Sequence, residues 1–535
     1  MTARPPSPAC GRTPSRVFAA ASRVFLLCVC CVCASVRLAF AQCPDGTPPP
    51  CAVRPFRQSA PAPNSVAVMY LDNESRDSSD AYLADGLTEE ITTKLSQIGR
   101  LAVTSNTTMR RYRGPGGLAP AELGRALRVA QLVSGSVRRA GHQIRVNVEL
   151  LRARDGVSLW ADTYDRTDAD LLSIEAEVAR AVATAIAGRL LPGEQAALAV
   201  RPTRNPEAYD HLLRGNFFLA QRTPATARRA IAEYQAATIE DAHFALAFGR
   251  IGLVYALFAD WGWPFPGLSQ DSLLTLGAAA ADHGLQLDSQ SADGWVARGL
   301  LRSFLYPASF DGVTAAFERA IALDSRSAEA HHLYGVMLFA MGREESAAAQ
   351  FRRALDLDPQ RAVTWDNFAW VHRYQRRPEE AARCADSGLA ADPQAYYLYG
   401  DRANFRFTLG DTAGARADAE AAARTGPAEY PFYAGPMLAA LQARQGDTAA
   451  ARSRLERVVA QLPDPAHPPY LVAYSLAVAW LRIGDRDRAL STLEGSRPQG
   501  LRLWFVTRDP GFDPIRETPR FRVLVEQSRP PWAER

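Results

Sequence analysis

"AEAHHLYGVMLFAMGREESAAAQFRRALDLDP" (residues 328–359) contains a pattern of small residues and a closing proline that repeats along the chain. Each of these positions recurs 34 residues later, and then once more after another 34. The sets in step are Pro359/Pro393/Pro427, Ala347/Ala381/Ala415, Ala354/Gly388/Ala422, Gly335/Ala369/Ala403 and Gly342/Arg376/Gly410. A period of this length in a helical, alanine-rich sequence indicates stacked helix hairpins.

The pattern resembles tetratricopeptide (TPR) repeats, departing from the family at His331, where a tryptophan is usual, and matching it again at Trp365. Small residues such as Gly335 allow two helices to approach closely, and proline ends the second helix. The resemblance predicts an all-α TPR solenoid over residues 203–525, with about six or seven repeats and a carboxy-terminal cap.

In TPR arrays the first helix of each hairpin lines a concave surface where ligands usually bind, so the resemblance implies a partner-binding site there. The residues that the register places on this surface are His332, Val336, Phe339, Asp366, Trp370, Arg373, Tyr374, Asn404 and Phe407. Trp370 beside Arg373 and Tyr374 is a combination common in binding hot spots. The alternative is that some of these side chains pack against neighbouring repeats. Similarly, "DWGWPF" (260–265) is either a second contact patch or folds back on the array.

Residues 64–192 show a different pattern, with strands and helices in the order β-α-β-α-β-β-β-α. In "HQIRVNVELLRA", Ile144, Val146, Val148 and Leu150 alternate with polar residues, as in a half-buried antiparallel strand. The sequence therefore predicts a two-domain α+β chain, in which a small α/β domain precedes the helical solenoid.

The blocks "AVMYLDNESRDSSDAYLADGLTEEI" and "VSGSVRRAGHQIRVNVELLRARDGVSLWADTYDR", with the helix that follows them, resemble the TolB amino-terminal-like (FlgO-like) domain. In that family the domain resembles a non-catalytic module and brings no catalytic residues. Its acidic stretch, Asp72 to Glu90, is accordingly expected to lie on the surface and at a helix start, where negative charge suits the helix dipole.

The first 41 residues have the features of a secretory leader: basic Arg16 and Arg23, the apolar run 24–36, and an Ala39-Phe40-Ala41 cleavage pattern. A cleaved signal and an uncleaved membrane anchor through residues 17–41 are both open alternatives. Either way the chain is expected to be exported to the periplasm or cell envelope. Within the Pro-rich linker 42–63, Cys43 and Cys51 are expected to form a disulfide loop in that oxidising compartment.

Several functional classes are excluded by composition. Five of the 61 basic residues lie in residues 1–41, which have no acid, so the rest of the chain is nearly neutral and nothing favours nucleic-acid binding. Lys94 is the single lysine and lies in neither a Walker A loop nor a kinase motif. The eight histidines are scattered, without a metal-binding motif. No catalytic residue, metal site or small-molecule cofactor is therefore expected.

Two functions agree with these features. The leading hypothesis is a non-enzymatic, exported scaffold that binds a peptide or protein partner of the cell envelope in its TPR groove. The alternative is the sensory or regulatory half of an envelope signalling system that acts through a separate output protein.

Overall fold

The first part of the chain forms one mixed β-sheet. The computed structural model describes residues 61–110, 112–113, 118–167, 170–304, 310–427, 431–496 and 501–533. The strands are β1 (Ser65–Val68), β2 (Asp72–Asn73), β3 (Ala102–Val103), β4 (Gln131–Ala140), β5 (Gln143–Arg152) and β6 (Ser158–Thr167). Their order is β3-β1-β4-β5-β6, with β2 also on β4. The pairs that include β1 or β2 are parallel, whereas β4, β5 and β6 are antiparallel.

Helices cover both faces of this sheet. They are α1 (Ala81–Ser96), α2 (Asn106–Arg110), α3 (Pro120–Leu127) and α4 (Leu171–Ala187). On one face α1 and α4 bury the predicted apolar row that includes Leu83 and Leu87, together with alternate residues of β5 such as Val146. On the other face Met109 and Leu123 form a smaller core with sheet residues. A small amino-terminal sheet domain is thus present, as expected for an α+β chain.

A long helical array follows. After α5 (Pro192–Ala199), the described residues form eight helix hairpins, against about six or seven repeats expected from the sequence. Their helices are α6 (Pro206–Leu219), α7 (Pro224–Glu240), α8 (Ala245–Trp261), α9 (Gln270–Leu287), α10 (Ala292–Arg302), α11 (Phe310–Leu323), α12 (Ala328–Ala340), α13 (Glu344–Leu357), α14 (Ala362–Tyr374), α15 (Pro378–Ala391), α16 (Tyr396–Thr408), α17 (Thr412–Thr425), α18 (Gly435–Arg444), α19 (Thr448–Val459), α20 (Tyr470–Arg482) and α21 (Arg486–Gly495). The chain continues with α22 (Leu501–Thr507), a 3-10 helix Pro510–Ile515 and α23 (Pro519–Ser528).

The repeated small residues explain how each hairpin closes. A Cβ added at Gly335 would lie 2.7 Å from the Phe351 ring of the second helix, so only a residue without a side chain fits there. The turn between the two helices needs a left-handed backbone, which Gly342 (φ 77°), Arg376 (φ 61°) and Gly410 (φ 85°) adopt at the same step of the repeat. The predicted 34-residue register is therefore visible in the backbone.

One expectation for the sheet domain is wrong. The acidic stretch lies on the surface at Asp72 and Asp77, and the Asp77 carboxylate caps the short helix that follows. Asp85, however, is buried in α1 and lies 2.6 Å from Arg113. Because a buried carboxylate needs a compensating charge, Arg113 supplies it from within the chain, while the Arg113 side chain itself is 45% exposed.

Three local expectations can be followed further. Trp263 is buried against Phe258, and Trp261 lies 5.3 Å from the Tyr397 ring, so the "DWGWPF" segment folds back on the array. Cys384 is a buried free thiol. The leader and the expected Cys43–Cys51 disulfide lie outside the described residues.

Candidate functional site

The carboxy-terminal segment, residues 501–515, lies across the concave side of the array. Arg373 of α14 forms an ion pair with Asp509, at 2.7 Å, and both side chains are almost fully buried. The Tyr374 hydroxyl donates a hydrogen bond to the Phe505 carbonyl oxygen at 3.1 Å, and the rings of these two residues stack 5.2 Å apart. The array therefore already binds a segment of its own chain on the surface where a ligand was expected.

Contacts between distant helices close the array around a cavity. The Asp260 carboxylate at the end of α8 pairs with Arg502 of α22 at 2.8 Å and accepts a hydrogen bond from the Tyr470 hydroxyl of α20. The cavity that these helices enclose with α12, α14 and α16 has a volume of about 120 Å³. Its walls are mainly aromatic and aliphatic, with acidic and basic side chains among them.

Two carboxyl groups meet in this cavity. Asp366 of α14 and Asp401 of α16 are 8% and 6% exposed, and their side chains hydrogen-bond each other. Burial, together with the neighbouring acid, raises the pKa of Asp366 well above its usual value. Burial also raises the pKa of Asp401 to about 7, although the Trp370 indole donates a 3.0 Å hydrogen bond to its Oδ2. The pair therefore holds a proton that isolated aspartates would have lost at neutral pH.

His332 lines the same cavity, and burial shifts its pKa in the opposite direction. Its Nδ1 lies 3.1 Å from the Thr364 hydroxyl, and burial lowers its pKa to about 3, with the Arg222 charge adding to the effect. His332 is thus a neutral imidazole at physiological pH. Arg222 in turn lies 3.7 Å from Glu329, which also pairs with Arg361.

The structure brings six of the nine residues predicted on the concave surface into this cavity. The six that line it are His332, Val336, Phe339, Asp366, Trp370 and Tyr374. Their ability to bind a partner stays a prediction.

The other three lie elsewhere. Arg373 is engaged by Asp509 as described, Asn404 accepts a 2.8 Å hydrogen bond from Arg482 beside an adjoining small pocket, and the Phe407 ring lies under Arg444 and Arg482. These three side chains therefore pack within the array, which is the alternative that the sequence left open.

The sequence did not point to four residues of the cavity: Asp401, Tyr470, Tyr474 and Arg502. Asp401 follows Asp366 by 35 residues, one more than the repeat, so the register did not pair them. The others belong to α20 and α22, where the repeat spacing is loose. The sequence signal was the occurrence of tyrosines and tryptophans near the start of α20 and the end of α8. Only the folded array shows that these two helix ends lie together.

Among the described residues, no group of three or more histidine, cysteine, aspartate or glutamate side chains is arranged to hold a metal ion. Similarly, none of the helices in the described part of the chain is long and apolar enough to cross a membrane.

Comparison with known proteins identifies the repeats. A tetratricopeptide repeat family model matches residues 314–362 and 367–433, which correspond to α11 through α17 with a few flanking residues. This part of the chain consists of TPR repeats, a class of helical repeat that binds protein or peptide partners. The prediction made from the 34-residue period is confirmed.

A curated relative matches over a limited stretch. It is named "Putative adenylate cyclase 3", from Rhizobium meliloti (strain 1021), and is 37% identical over 176 residues. The match covers 32% of this chain and 29% of the relative, so this chain spans less than a third of that protein's length.

The matches among solved structures include three proteins of low sequence identity. Yeast Tom70 has a TM-score of 0.38 and 14% identity, with 67% of this chain and 82% of that chain covered. A tetratricopeptide repeat protein from Parabacteroides merdae has a TM-score of 0.33 and 13% identity, covering 51% and 98%. Pseudomonas aeruginosa pilF has a TM-score of 0.30 and 18% identity, covering 40% and 94%.

Proposed function

We propose that this chain is a non-enzymatic, exported scaffold that binds a protein or peptide partner on the concave side of its TPR array. The observation that carries the proposal is the way the array binds residues 501–515. The contacts are the ion pair of Arg373 with Asp509, the stacking of the Tyr374 ring on Phe505, and a hydrogen bond to the segment's backbone. These are the interactions by which a repeat groove binds a peptide.

In this proposal the partner competes with the chain's own segment for the groove. Two further ion pairs hold the segment to the array: Arg376 with Asp513 at 2.7 Å, and Glu344 with Arg508. The first lies in the open, because the Arg376 side chain is 64% exposed. Weakening these two pairs is expected to make the segment easier for a partner to displace, although the buried Arg373–Asp509 pair still holds it when no partner is present.

The test is capture of a partner from cell-envelope extract by the purified chain and by Arg376→Gln/Glu344→Gln. Ion pairs near the surface contribute about 0–1 kcal/mol each, so losing two raises capture of a competing partner by up to about 30-fold. The matched control is Arg383→Gln/Glu380→Gln, which removes one arginine and one glutamate from an exposed pair within α15. Equal capture by the two double variants contradicts competition for this groove.

Export and the role of the sheet domain belong to the same proposal. The leader-like residues 1–41 support delivery to the periplasm or envelope, with either a cleaved signal or an anchor through residues 17–41. The TolB-like and FlgO-like resemblance of residues 64–192 supports a docking module beside the repeats. Fractionation of cells that express the tagged chain, with mass determination of its amino terminus, tests both the compartment and the cleavage.

The second candidate is the sensory or regulatory half of an envelope signalling system that acts through a separate output protein. The relative named as a putative adenylate cyclase favours it, because most of that protein lies outside the matched stretch. Mass spectrometry of the captured partner separates the two candidates, since a cyclase, kinase or DNA-binding partner supports signalling. Incubation of the chain alone with ATP is expected to give no cyclic AMP.

A further inference from the structure

The acid pair in the cavity has no positive partner of its own. Among the described residues, no arginine or lysine forms an ion pair with Asp366 or Asp401. Three arginines in or beside the cavity pair with other acids: Arg222 with Glu329, Arg373 with Asp509, and Arg502 with Asp260. A buried acid pair without a cation is costly, and it is stabilised either by a retained proton or by a positive ligand.

Two side chains that line the cavity have polar atoms without hydrogen-bond partners. Within the part of the chain that the structure describes, Oδ1 of Asp366 receives no hydrogen bond from any N–H or hydroxyl group, and the Tyr474 hydroxyl has no partner. Both side chains are more than nine-tenths buried, and both line the cavity. Buried polar groups in native proteins nearly always have partners, and Asp366 Oδ1 is an acceptor that a donor from outside the chain can satisfy.

The walls favour a positive charge as well. The aromatic side chains around the acid pair are Trp261, Trp370, Tyr374, Tyr470, Tyr474 and Phe505. The faces of such rings attract cations, most strongly where water is excluded. Trp370 is held in place because its indole N–H donates to Asp401.

We propose that this cavity is a binding site for a small primary alkylammonium ion, whose N–H groups donate to Asp366 and Asp401 while its carbon chain packs against the aromatic walls. A primary ammonium supplies the donors that the orphaned carboxylate oxygen lacks, which a quaternary ammonium does not. Because Arg502, Phe505 and Val506 of the carboxy-terminal segment line the cavity, a partner that displaces this segment from the groove is expected to open the site as well.

The size of the cavity sets the size of the ligand. Its volume is about 120 Å³. An apolar cavity of about 150 Å³ accommodates a benzene-sized molecule, so this one suits a ligand of about five non-hydrogen atoms. Butylammonium has that size, and 1-butanol matches it in shape without the charge.

The first test is isothermal titration of the unmodified chain at pH 7 with butylammonium, 1-butanol and tetramethylammonium. The expected result is saturable binding of butylammonium, with 1-butanol and tetramethylammonium at least about tenfold weaker, because hydrogen bonds to charged groups dominate. The proposal is overturned if butylammonium does not bind at millimolar concentration, or if 1-butanol binds equally well. Equal binding of tetramethylammonium overturns the assignment of N–H donors to the acid pair.

The second test removes the carboxyl group that the ammonium is proposed to bind, without changing the shape of the side chain. Asp366→Asn is expected to weaken butylammonium binding at least about tenfold while leaving the weak binding of 1-butanol unchanged. The matched control, Asp356→Asn, changes an exposed aspartate of α13 outside the cavity and is expected to bind as the parent does. Parent-like affinity in Asp366→Asn contradicts the proposal. The comparison of ligands on the unmodified chain stands even if that variant folds poorly.

Discussion

Arg373 of α14 and Asp509 of the carboxy-terminal segment form a two-bond ion pair inside the protein, with Nε–Oδ2 and Nη2–Oδ1 distances of 2.7 and 2.9 Å. The side chains are only 5% and 0% exposed. Parallel bonds between a guanidinium and a carboxylate are among the strongest side-chain hydrogen bonds. A residue that the sequence placed at a partner-binding surface therefore fastens the end of the chain to the array.

Arg373→Ala is expected to lower the free energy of unfolding by about 3–5 kcal/mol, because it leaves the Asp509 carboxylate buried without its cation. Urea denaturation followed by circular dichroism measures the loss.

The control for this change is Arg376→Ala, which breaks the exposed pair with Asp513 and is expected to cost about 0–1 kcal/mol. If Arg373→Ala is no more destabilising than Arg376→Ala, the buried pair does not hold the segment as described.

The repeats could be predicted from sequence because their determinants are local. Gly335 and Phe351 are 16 residues apart, and the same two positions hold small residues at the next two steps of the 34-residue period, Ala369/Ala385 and Ala403/Ala419. The sheet domain is similar, since the alternation in β5 directly predicts its buried face. In both cases one short stretch contains the information for one element.

The closed cavity could not be predicted in the same way. Asp260 and Arg502 are far apart in the chain, and their ion pair depends on the curvature of all the hairpins between them. The path of residues 501–515 over α12 and α14 depends on the same curvature. For that reason the sequence identified Asp366 and Trp370 but not Asp401 or Tyr474.

The acid pair and His332 are expected to give opposite slopes of stability against pH. With raised pKa values, Asp366 and Asp401 retain protons that the unfolded chain releases, so their contribution falls as pH rises from about 4 to about 7. With its pKa lowered to about 3, His332 stays neutral while the unfolded chain takes up a proton below about pH 6.5. Its contribution therefore falls as pH decreases through that range.

Single substitutions separate the two effects. Relative to the parent, Asp401→Asn is expected to make the slope of unfolding free energy against pH more positive by up to about 1.4 kcal/mol per pH unit, and His332→Gln more negative by a similar amount. Urea titrations at pH 4.5, 5.5 and 6.5 measure both slopes. Parallel curves for Asp401→Asn and the parent would show that the pair does not retain its proton.

Gly335→Ala is expected to destabilise the array by about 1–3 kcal/mol, because the added methyl group overlaps the Phe351 ring. Gly193→Ala is the control: it also lies in a helix, α5, but its added Cβ meets no atom within 4 Å. There the change is expected to stabilise by about 0.5–1 kcal/mol through helix propensity. Thermal unfolding of the two variants should move in opposite directions, and a shift in the same direction contradicts the close helix approach.

Lys94, the single lysine, reports on the junction between the sheet domain and the repeats. Its ammonium group donates to the Val200 carbonyl oxygen at 3.1 Å and lies 3.8 Å from Glu175, and its side chain is 7% exposed. Acylation by a water-soluble amine reagent is therefore expected to be at least about 100-fold slower in the native chain than in guanidinium, because reaction requires local opening.

Arg154→Lys supplies the reference for this measurement, since the Arg154 side chain is 77% exposed in the turn between β5 and β6. Peptide mass spectrometry over time gives both rates in one sample. Modification of Lys94 as fast as the introduced lysine would mean that the segment around Val200 detaches readily from α1. If modification of Lys94 is slow and accelerates only together with global unfolding, the junction between the sheet domain and the repeats is as stable as those two parts themselves.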